Sequence, residues 1–159
     1  TRRHGVFAAV LREAYTARAP LALVENPAVF LAFERLPDPP PVEAVLYAGG
    51  RAPQRILDWL ARAGPEGPPV YHCPDYDPVG LGEFLRLRSA LGARARLHRP
   101  ARLAELFARH GNRDLLRREH SQALLAQLRR SADPEVLGVL ELVDRFAAGL
   151  EQEALFLAG

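Results

Sequence analysis

The amino-acid sequence predicts an α/β fold: a small parallel sheet of about four strands with flanking helices and a helical C-terminal extension. Two observations predict it. Short apolar runs of strand length alternate with stretches of helical periodicity about a dozen residues long, and proline and glycine mark most of the joins. This alternation is typical of right-handed βαβ units, which build parallel sheets.

Four segments have the length and apolar character of buried strands. They are LALVE at residues 21–25, EAVLYA at 43–48, VYHC at 70–73 and ARLH at 95–98. Each is followed by polar, proline or glycine residues, as expected where a strand reaches the edge of a sheet.

Helical spacing of apolar residues fills most of the remaining chain. Pro20 ends the first helix, Pro27 suits the first turn of the second, and Gly64 is a natural helix stop. The predicted helices cover residues 6–18, 27–36, 52–64, 79–92, 101–110, 113–130, 134–149 and 150–158. We expect residues 1–100 to form the α/β core and residues 101–159 a helical extension packed on it, together one compact domain.

Composition excludes several classes of protein. The 159 residues are 48% hydrophobic and 25% charged, which is typical of a globular domain. No apolar run approaches the length of a membrane span and no signal peptide precedes the first helix, so we expect a cytoplasmic protein without membrane contact. The single cysteine excludes an internal disulfide and a cysteine-rich zinc site.

The chain contains no methionine and begins with Thr1, so we expect a fragment of a longer protein. All of its basic side chains are arginines. GC-rich codon usage explains this bias better than a role in phosphate binding does. A net charge of +2 does not by itself indicate a nucleic-acid partner.

Acidic side chains follow two of the predicted strands. Glu25 ends the first strand, and Asp75 and Asp77 come just after the third. In a parallel sheet, ligands bind outside the carboxyl ends of the strands, so these acids are expected at one edge. Alternate residues of extended backbone point the same way, which lets Asp75 and Asp77 face one hard divalent cation such as Mg²⁺.

Each acid also has an ordinary structural explanation. Glu25 lies near the start of the next helix, where a negative charge is favourable. Asp77 precedes Pro78 as a helix N-cap would, and Asp75 is a common turn residue. Taken singly, these alternatives are favoured over a metal site; their shared position at one sheet edge favours the site.

Three further residues are candidates for phosphate contact at the same edge. Gly50 and Arg51 follow the second strand, and His72 lies beside the acids. For His72, packing of the ring against a helix is the favoured alternative, and for Arg51 a solvated side chain is an equal alternative. The arginines Arg113, Arg117 and Arg118 are predicted to form a solvated helix face.

Taken together, four segments resemble the Toprim domain of topoisomerases, bacterial primases, OLD-type nucleases and topoisomerase VI A subunits. They are LVENPAVF (residues 23–30), YAGGRAPQRILDWL (47–60), YHCPDYDPVGL (71–81) and GLEQEAL (149–155). In detail they look most like the C-terminal domain of the Wadjet defence protein JetD and its relatives. The chain departs from that pattern at Cys73-Pro74, where relatives often carry Gly or Trp-Gly.

The resemblance implies a metal-dependent DNA endonuclease in plasmid or phage defence, with Glu25, Asp75 and Asp77 as the catalytic, metal-binding acids. It implies Mg²⁺ or Mn²⁺ as cofactor and a further ligand from Glu151 or Glu153. Expected partners are DNA, gripped by a domain absent from this chain, an SMC-like complex and a second copy of the chain. A topoisomerase VI A-like Toprim domain and a non-catalytic interaction domain of the same fold remain alternatives.

Overall fold

The computed structural model describes residues 16–118 and 121–157 and confirms the α/β class. Four strands form an all-parallel sheet with helices around it. The strands are β1 (Leu21–Val24), β2 (Ala44–Tyr47), β3 (Val70–Cys73) and β4 (Ala95–Leu97), arranged in the order β2-β1-β3-β4. Each lies within a predicted strand, because a parallel sheet covered by helices requires continuous apolar runs.

The helices follow the predicted order, most of them with shorter bounds, whereas the helix predicted over 79–92 keeps its length and begins at Pro78. They are α1 (Pro27–Leu31), α2 (Gln54–Ala61), α3 (Pro78–Leu91), α4 (Leu103–His110), α5 (Asp114–Arg117), α6 (Ser121–Arg129) and α7 (Pro134–Phe146). Short 3₁₀ helices occupy Phe33–Arg35, Gly92–Arg94 and Gln152–Leu157. Among the later helices, α6 packs on α3, and α7 packs on β4 and α4.

The strand order creates a crevice between β1 and β3. The chain leaves β1 through α1 toward one edge of the sheet and leaves β3 through α3 toward the other. Phe30 of α1 packs 5.5 Å from Tyr47, and Phe84 of α3 stacks 6.2 Å from His72. Since Tyr47 and His72 are on opposite faces in the strand register, α1 and α3 cover opposite faces. Ligands of such sheets bind at this reversal point, outside the carboxyl ends of the two strands.

The burial of each strand follows from its position in the sheet. All four residues of β1 are buried, whereas the edge strand β2 is half-exposed along its length. Asn26 caps α1 through its side-chain oxygen, which accepts hydrogen bonds from the amides of Ala28 and Val29. The cap lets the chain turn from β1 into a helix within two residues, which places Glu25 at the crevice.

Four helix predictions differ from the structure. The helix predicted over 27–36 ends at Leu31 and is followed by a 3₁₀ helix over Phe33–Arg35. The helix predicted over 113–130 is broken after α5, because Arg118 adopts extended backbone angles. The helix predicted over 134–149 stops at Phe146, because Ala147 takes a left-handed conformation. The helix predicted over 150–158 is a 3₁₀ helix over Gln152–Leu157.

The first predicted helix, over residues 6–18, lies almost entirely outside the described residues, and residues 16–18 at its end are not helical. None of the helices in the described part of the chain combines the length and apolar character that a membrane crossing requires.

Candidate functional site

Glu25 lies at the end of β1, with the glycines that follow β2 beside it. The amide of Gly50 donates to the Glu25 carbonyl oxygen at 3.1 Å. Gly49 and Gly50 have φ angles of 70° and 85°, in the left-handed region that glycine adopts at little cost. The paired glycines therefore let the chain turn tightly past Glu25 at the sheet edge.

The Glu25 carboxylate is held by a buried histidine. His72 Nε2 lies 2.7 Å from Glu25 Oε1, and the His72 ring is 2% exposed. Its Nδ1 is buried and has no hydrogen-bond partner among the described residues. The ring packs on Phe84 of α3, as the favoured alternative expected. Contact of His72 with a phosphate stays a prediction.

Asp75 occupies the loop after β3, where other acids surround it. Its Oδ1 accepts a hydrogen bond from the amide of Gln152 at 2.8 Å. Burial raises the pKa of Asp75 to about 6, a rise that the Gln152 hydrogen bond opposes and that the charges of Asp77, Glu153 and Glu25 reinforce. The charges of the other three carboxylates therefore act on Asp75.

Asp77 is both a helix cap and a member of this group. Its Oδ1 accepts from the amide of Gly80 at 2.8 Å, which is the N-cap role considered for it. The Asp77 side chain is 2% exposed, and Arg118 Nη1 lies 3.8 Å from its Oδ2. Burial raises the pKa of Asp77, while the Gly80 amide and then the Arg118 charge lower it.

The C-terminal segment clamps the loop that carries both aspartates. Tyr76 and Leu150 exchange backbone hydrogen bonds of 2.8 and 3.1 Å as an isolated antiparallel bridge. The Gln152 amide group donates from Nε2 to the Cys73 carbonyl at 2.7 Å, and Gln152 is fully buried. Tyr76 is also fully buried and donates from its hydroxyl to the His98 carbonyl at 3.1 Å. The loop is thus fixed from both sides.

Sequence reasoning missed Gln152. It lies between two glutamates that drew attention as metal ligands, and nothing in its type or neighbours distinguishes it from a solvated residue. A signal is present only in the fold, which brings residues 150–152 against residues 73–76.

The two glutamates beside Gln152 occupy different environments. Glu153 Oε1 accepts from Asn26 Nδ2 at 2.5 Å, and its charge acts on Asp75. Both glutamates are exposed, and the charge of Glu151 does not contribute to the Asp75 shift. The structure therefore brings Glu153, rather than Glu151, to the acids.

Arg51 is exposed and lies three residues before α2. Its Nε is 2.9 Å from Glu83 Oε1 on α3. The guanidinium thus bridges the loop after β2 and the helix after β3. Phosphate contact by Arg51 and Gly50 stays a prediction.

Carboxylate oxygens are the ligands that a hard cation prefers. Within residues 16–118 and 121–157, no three or more His, Cys, Asp or Glu side chains are grouped so as to hold a metal ion. Mg²⁺, however, usually takes one or two carboxylates together with phosphate and water. Asp75 and Glu25 each use one carboxylate oxygen in the hydrogen bonds above, which leaves the other for a cation.

Two clefts elsewhere have other linings. One of about 670 Å³ lies between the proline loop at residues 39–41, β4 and α7, and one of about 260 Å³ adjoins it at Asp38 and His98. None of the four acids lines either cleft.

No protein-family model, curated protein or solved structure matches the chain. The candidate site therefore stands on the geometry of its own residues.

Proposed function

We propose that this domain is the metal-dependent DNA endonuclease module of a JetD-like defence protein. The observation that carries the proposal is that Glu25, Asp75 and Asp77 follow the strand ends at the reversal point of the sheet. There the charges of Asp77, Glu153 and Glu25 add to burial in raising the pKa of Asp75 to about 6. Carboxylates gathered in a partly buried place repel one another. A divalent cation bridging them to a phosphate would relieve that repulsion.

One or two of Glu25, Asp75 and Glu153 would hold Mg²⁺ or Mn²⁺ together with a substrate phosphate, with Asp77 beside them as the buried cap of α3. The cation would polarise the phosphodiester and stabilise charge on the attacking and leaving oxygens. His72 holds one oxygen of Glu25 at 2.7 Å and so orients the other. Glu25 then serves either as a ligand or as the base that accepts a proton from the attacking water.

Plasmid nicking tests the proposal. With Mn²⁺ or Mg²⁺, the longer protein expected to carry this domain together with its DNA-gripping domain should convert supercoiled plasmid to the nicked form, and Asp75→Asn should lower the rate by at least about tenfold because a ligand is lost. Glu151→Gln is the matched control, since it removes an exposed carboxylate of the same segment and should leave the rate unchanged. Nicking by Asp75→Asn at the wild-type rate, or none by the wild type, would sink the assignment.

A second function, that of a non-catalytic interaction domain of the same fold, is favoured by one observation. Each acid already has a partner within the chain: His72 for Glu25, Gln152 for Asp75, and Asn26 for Glu153. Calorimetric titration with Mn²⁺ separates the two functions. An interaction domain would bind no Mn²⁺, whereas the nuclease module should bind it and lose affinity on Glu25→Gln.

A further inference from the structure

The larger of the two clefts has walls from three separate parts of the chain. It has a volume of about 670 Å³ and lies between residues 38–41, the end of β4 with the residues after it, and α7. A volume of this size is typical of small-molecule sites. None of the four acids lines the cleft, so what it binds does not depend on the proposed function. We propose that this cleft binds a zwitterionic α-amino acid with an apolar side chain.

The wall formed by residues 38–41 is held by two hydrogen bonds. His98 Nε2 donates to the Asp38 carbonyl at 2.8 Å, and the Asp38 carboxylate accepts from the Ala101 amide at 2.8 Å. His98 is 6% exposed and lines both clefts. Burial lowers the pKa of His98, so the ring is neutral and its Nδ1, which has no partner among the described residues, is an acceptor. The cleft is therefore preformed and has an unused acceptor in its wall.

Arg99 brings a positive group without a counter-ion to the cleft. Its guanidinium lies against α7 at Gly138, where an added Cβ would meet Arg99 Nη1 at 2.6 Å and Cζ at 3.0 Å. Arg99 forms no hydrogen bond or ion pair with a described residue. The glycine thus lets the guanidinium lie on the helix surface while its donors remain free for an anion.

Two glutamates lie one helical turn from Gly138, one on each side of it. Glu135, three residues earlier, is already bonded: its Oε1 accepts from the Leu97 amide at 3.2 Å and its Oε2 pairs with Arg88. Glu141, three residues later, lines the cleft and is exposed, and it forms no hydrogen bond or ion pair with a described residue. It follows Gly138 by about 4.5 Å along the helix axis and on the same face.

A free cation and a free anion that are not paired with each other match a ligand that carries both charges. The carboxylate of an amino acid suits the planar guanidinium, and its ammonium group suits the Glu141 carboxylate. A ligand with only one charge would leave the other group of the cleft without a partner. An apolar side chain would bury its surface against the apolar part of the lining. That part comprises Leu97, Leu103, Leu142 and the prolines at residues 39–41.

NMR titration with three related ligands tests the charge pattern. They are L-phenylalanine, N-acetyl-L-phenylalanine, which lacks the cation, and L-phenylalaninamide, which lacks the anion. L-phenylalanine should bind with a Kd on the order of 1 mM, as expected for a ligand of its size, and should shift the amide signals of Leu97 and Gly138. The other two should each bind at least about fivefold more weakly, because one charged contact is lost.

Variants assign each charge of the ligand to a residue. Arg99→Gln should bind L-phenylalanine at least about fivefold more weakly and leave the affinity for the amide unchanged. Glu141→Gln should weaken L-phenylalanine in the same way and leave the N-acetyl ligand unchanged. Gly138→Ala keeps both charges but displaces the guanidinium, so it should also weaken binding, although alanine favours the helix. Arg96→Gln is the matched control, since Arg96 is an exposed residue of β4 that lines neither cleft.

Three results would overturn the proposal. They are no binding of L-phenylalanine by the wild type, equal binding of all three ligands, and equal affinities of Arg99→Gln and Arg96→Gln for L-phenylalanine. Each would leave the proposed function intact, because the acids lie outside the cleft. Thermal unfolding of each variant, followed by the fluorescence of Trp59, confirms that the proteins compared are folded.

Discussion

Burial of the Asp75 carboxyl disfavours its charged form. Its pKa is about 6 in the folded protein against 3.8 for the free side chain, chiefly because of burial and then because of its acidic neighbours. A raised carboxyl pKa means that the folded state prefers the protonated form. Its favourable contribution is therefore complete below pH 3.8 and is lost as the pH rises through about 6.

Replacing Asp75 by Asn should make the domain more stable at neutral pH. The Asn carbonyl can still accept the Gln152 amide, but no charge is buried. We expect the gain in free energy of unfolding over wild type to be close to zero at pH 4 and on the order of 2 kcal/mol at pH 7. Urea denaturation at several pH values measures it, and a difference that does not vary with pH would contradict the account.

The types of the acidic residues and their positions at strand ends could be predicted from the sequence. Glu25, Asp75 and Asp77 each follow an apolar run, and the edge rule for parallel sheets brings them together. Their individual partners could not be predicted in this way. His72 and Arg118 reach the acids through side-chain directions and a helix break that periodicity does not encode.

At the scale of elements, α3 begins in unusually close contact with the loop before it. A Cβ on Gly80 would overlap the carbonyl oxygen of Asp75 and lie 2.9 Å from the Pro74 Cβ. Gly80 is therefore required for the loop to fold back against the first turn of the helix. A Cβ added at Gly82, two residues further along, would lie 3.8 Å from its nearest neighbour, Leu124.

Alanine at these two glycines should have opposite effects. Gly80→Ala must displace the Asp75 loop and should cost about 1–3 kcal/mol, the scale of overpacking. Gly82→Ala should be neutral or stabilising by up to about 1 kcal/mol through helix propensity. The midpoint of urea denaturation, followed by Trp59 fluorescence, gives both values. Equal effects would show that the close approach at Gly80 is unimportant.

Strands were predicted more closely than helix ends. The four strands lie within their predicted segments because a buried parallel strand is an apolar run with few alternatives at that length. Helix ends depend on single residues that leave helical angles, such as Ala147 with φ of 48°. Such a conformation follows from tertiary packing, in this case the bridge from Gly149 to Asn112.

At the scale of the whole molecule, the chain after α7 returns to the sheet and completes the site. Two contacts join segments that are more than 70 residues apart in the chain. They are the bridge between Tyr76 and Leu150 and the pair of hydrogen bonds from Gln152. Contacts of that sequence separation have no local pattern, so the sequence alone did not indicate them. They make the geometry at Asp75 depend on the far end of the fold.

Gln152→Leu should loosen this connection without unfolding the domain. The buried Cys73 carbonyl loses the hydrogen bond from Gln152, which costs about 1–3 kcal/mol of stability. The variant also removes Gln152 Oε1, a buried atom with no hydrogen-bond partner among the described residues, and this offsets part of the cost. Gln122→Leu is the matched control, because the Gln122 side chain donates to the Leu116 carbonyl at an exposed site. It should change stability by less than about 0.5 kcal/mol.

Hydrogen exchange provides the sharper readout of the same variant. The amides of Tyr76, Leu150 and Gln152 donate within one clamp, so they should lose protection together in Gln152→Leu and stay protected in Gln122→Leu. Loss of protection at Gln152 alone would mean that the bridge to Tyr76 holds the loop by itself. A joint loss, with weaker Mn²⁺ binding, would show that the C-terminal segment positions Asp75 for the cation.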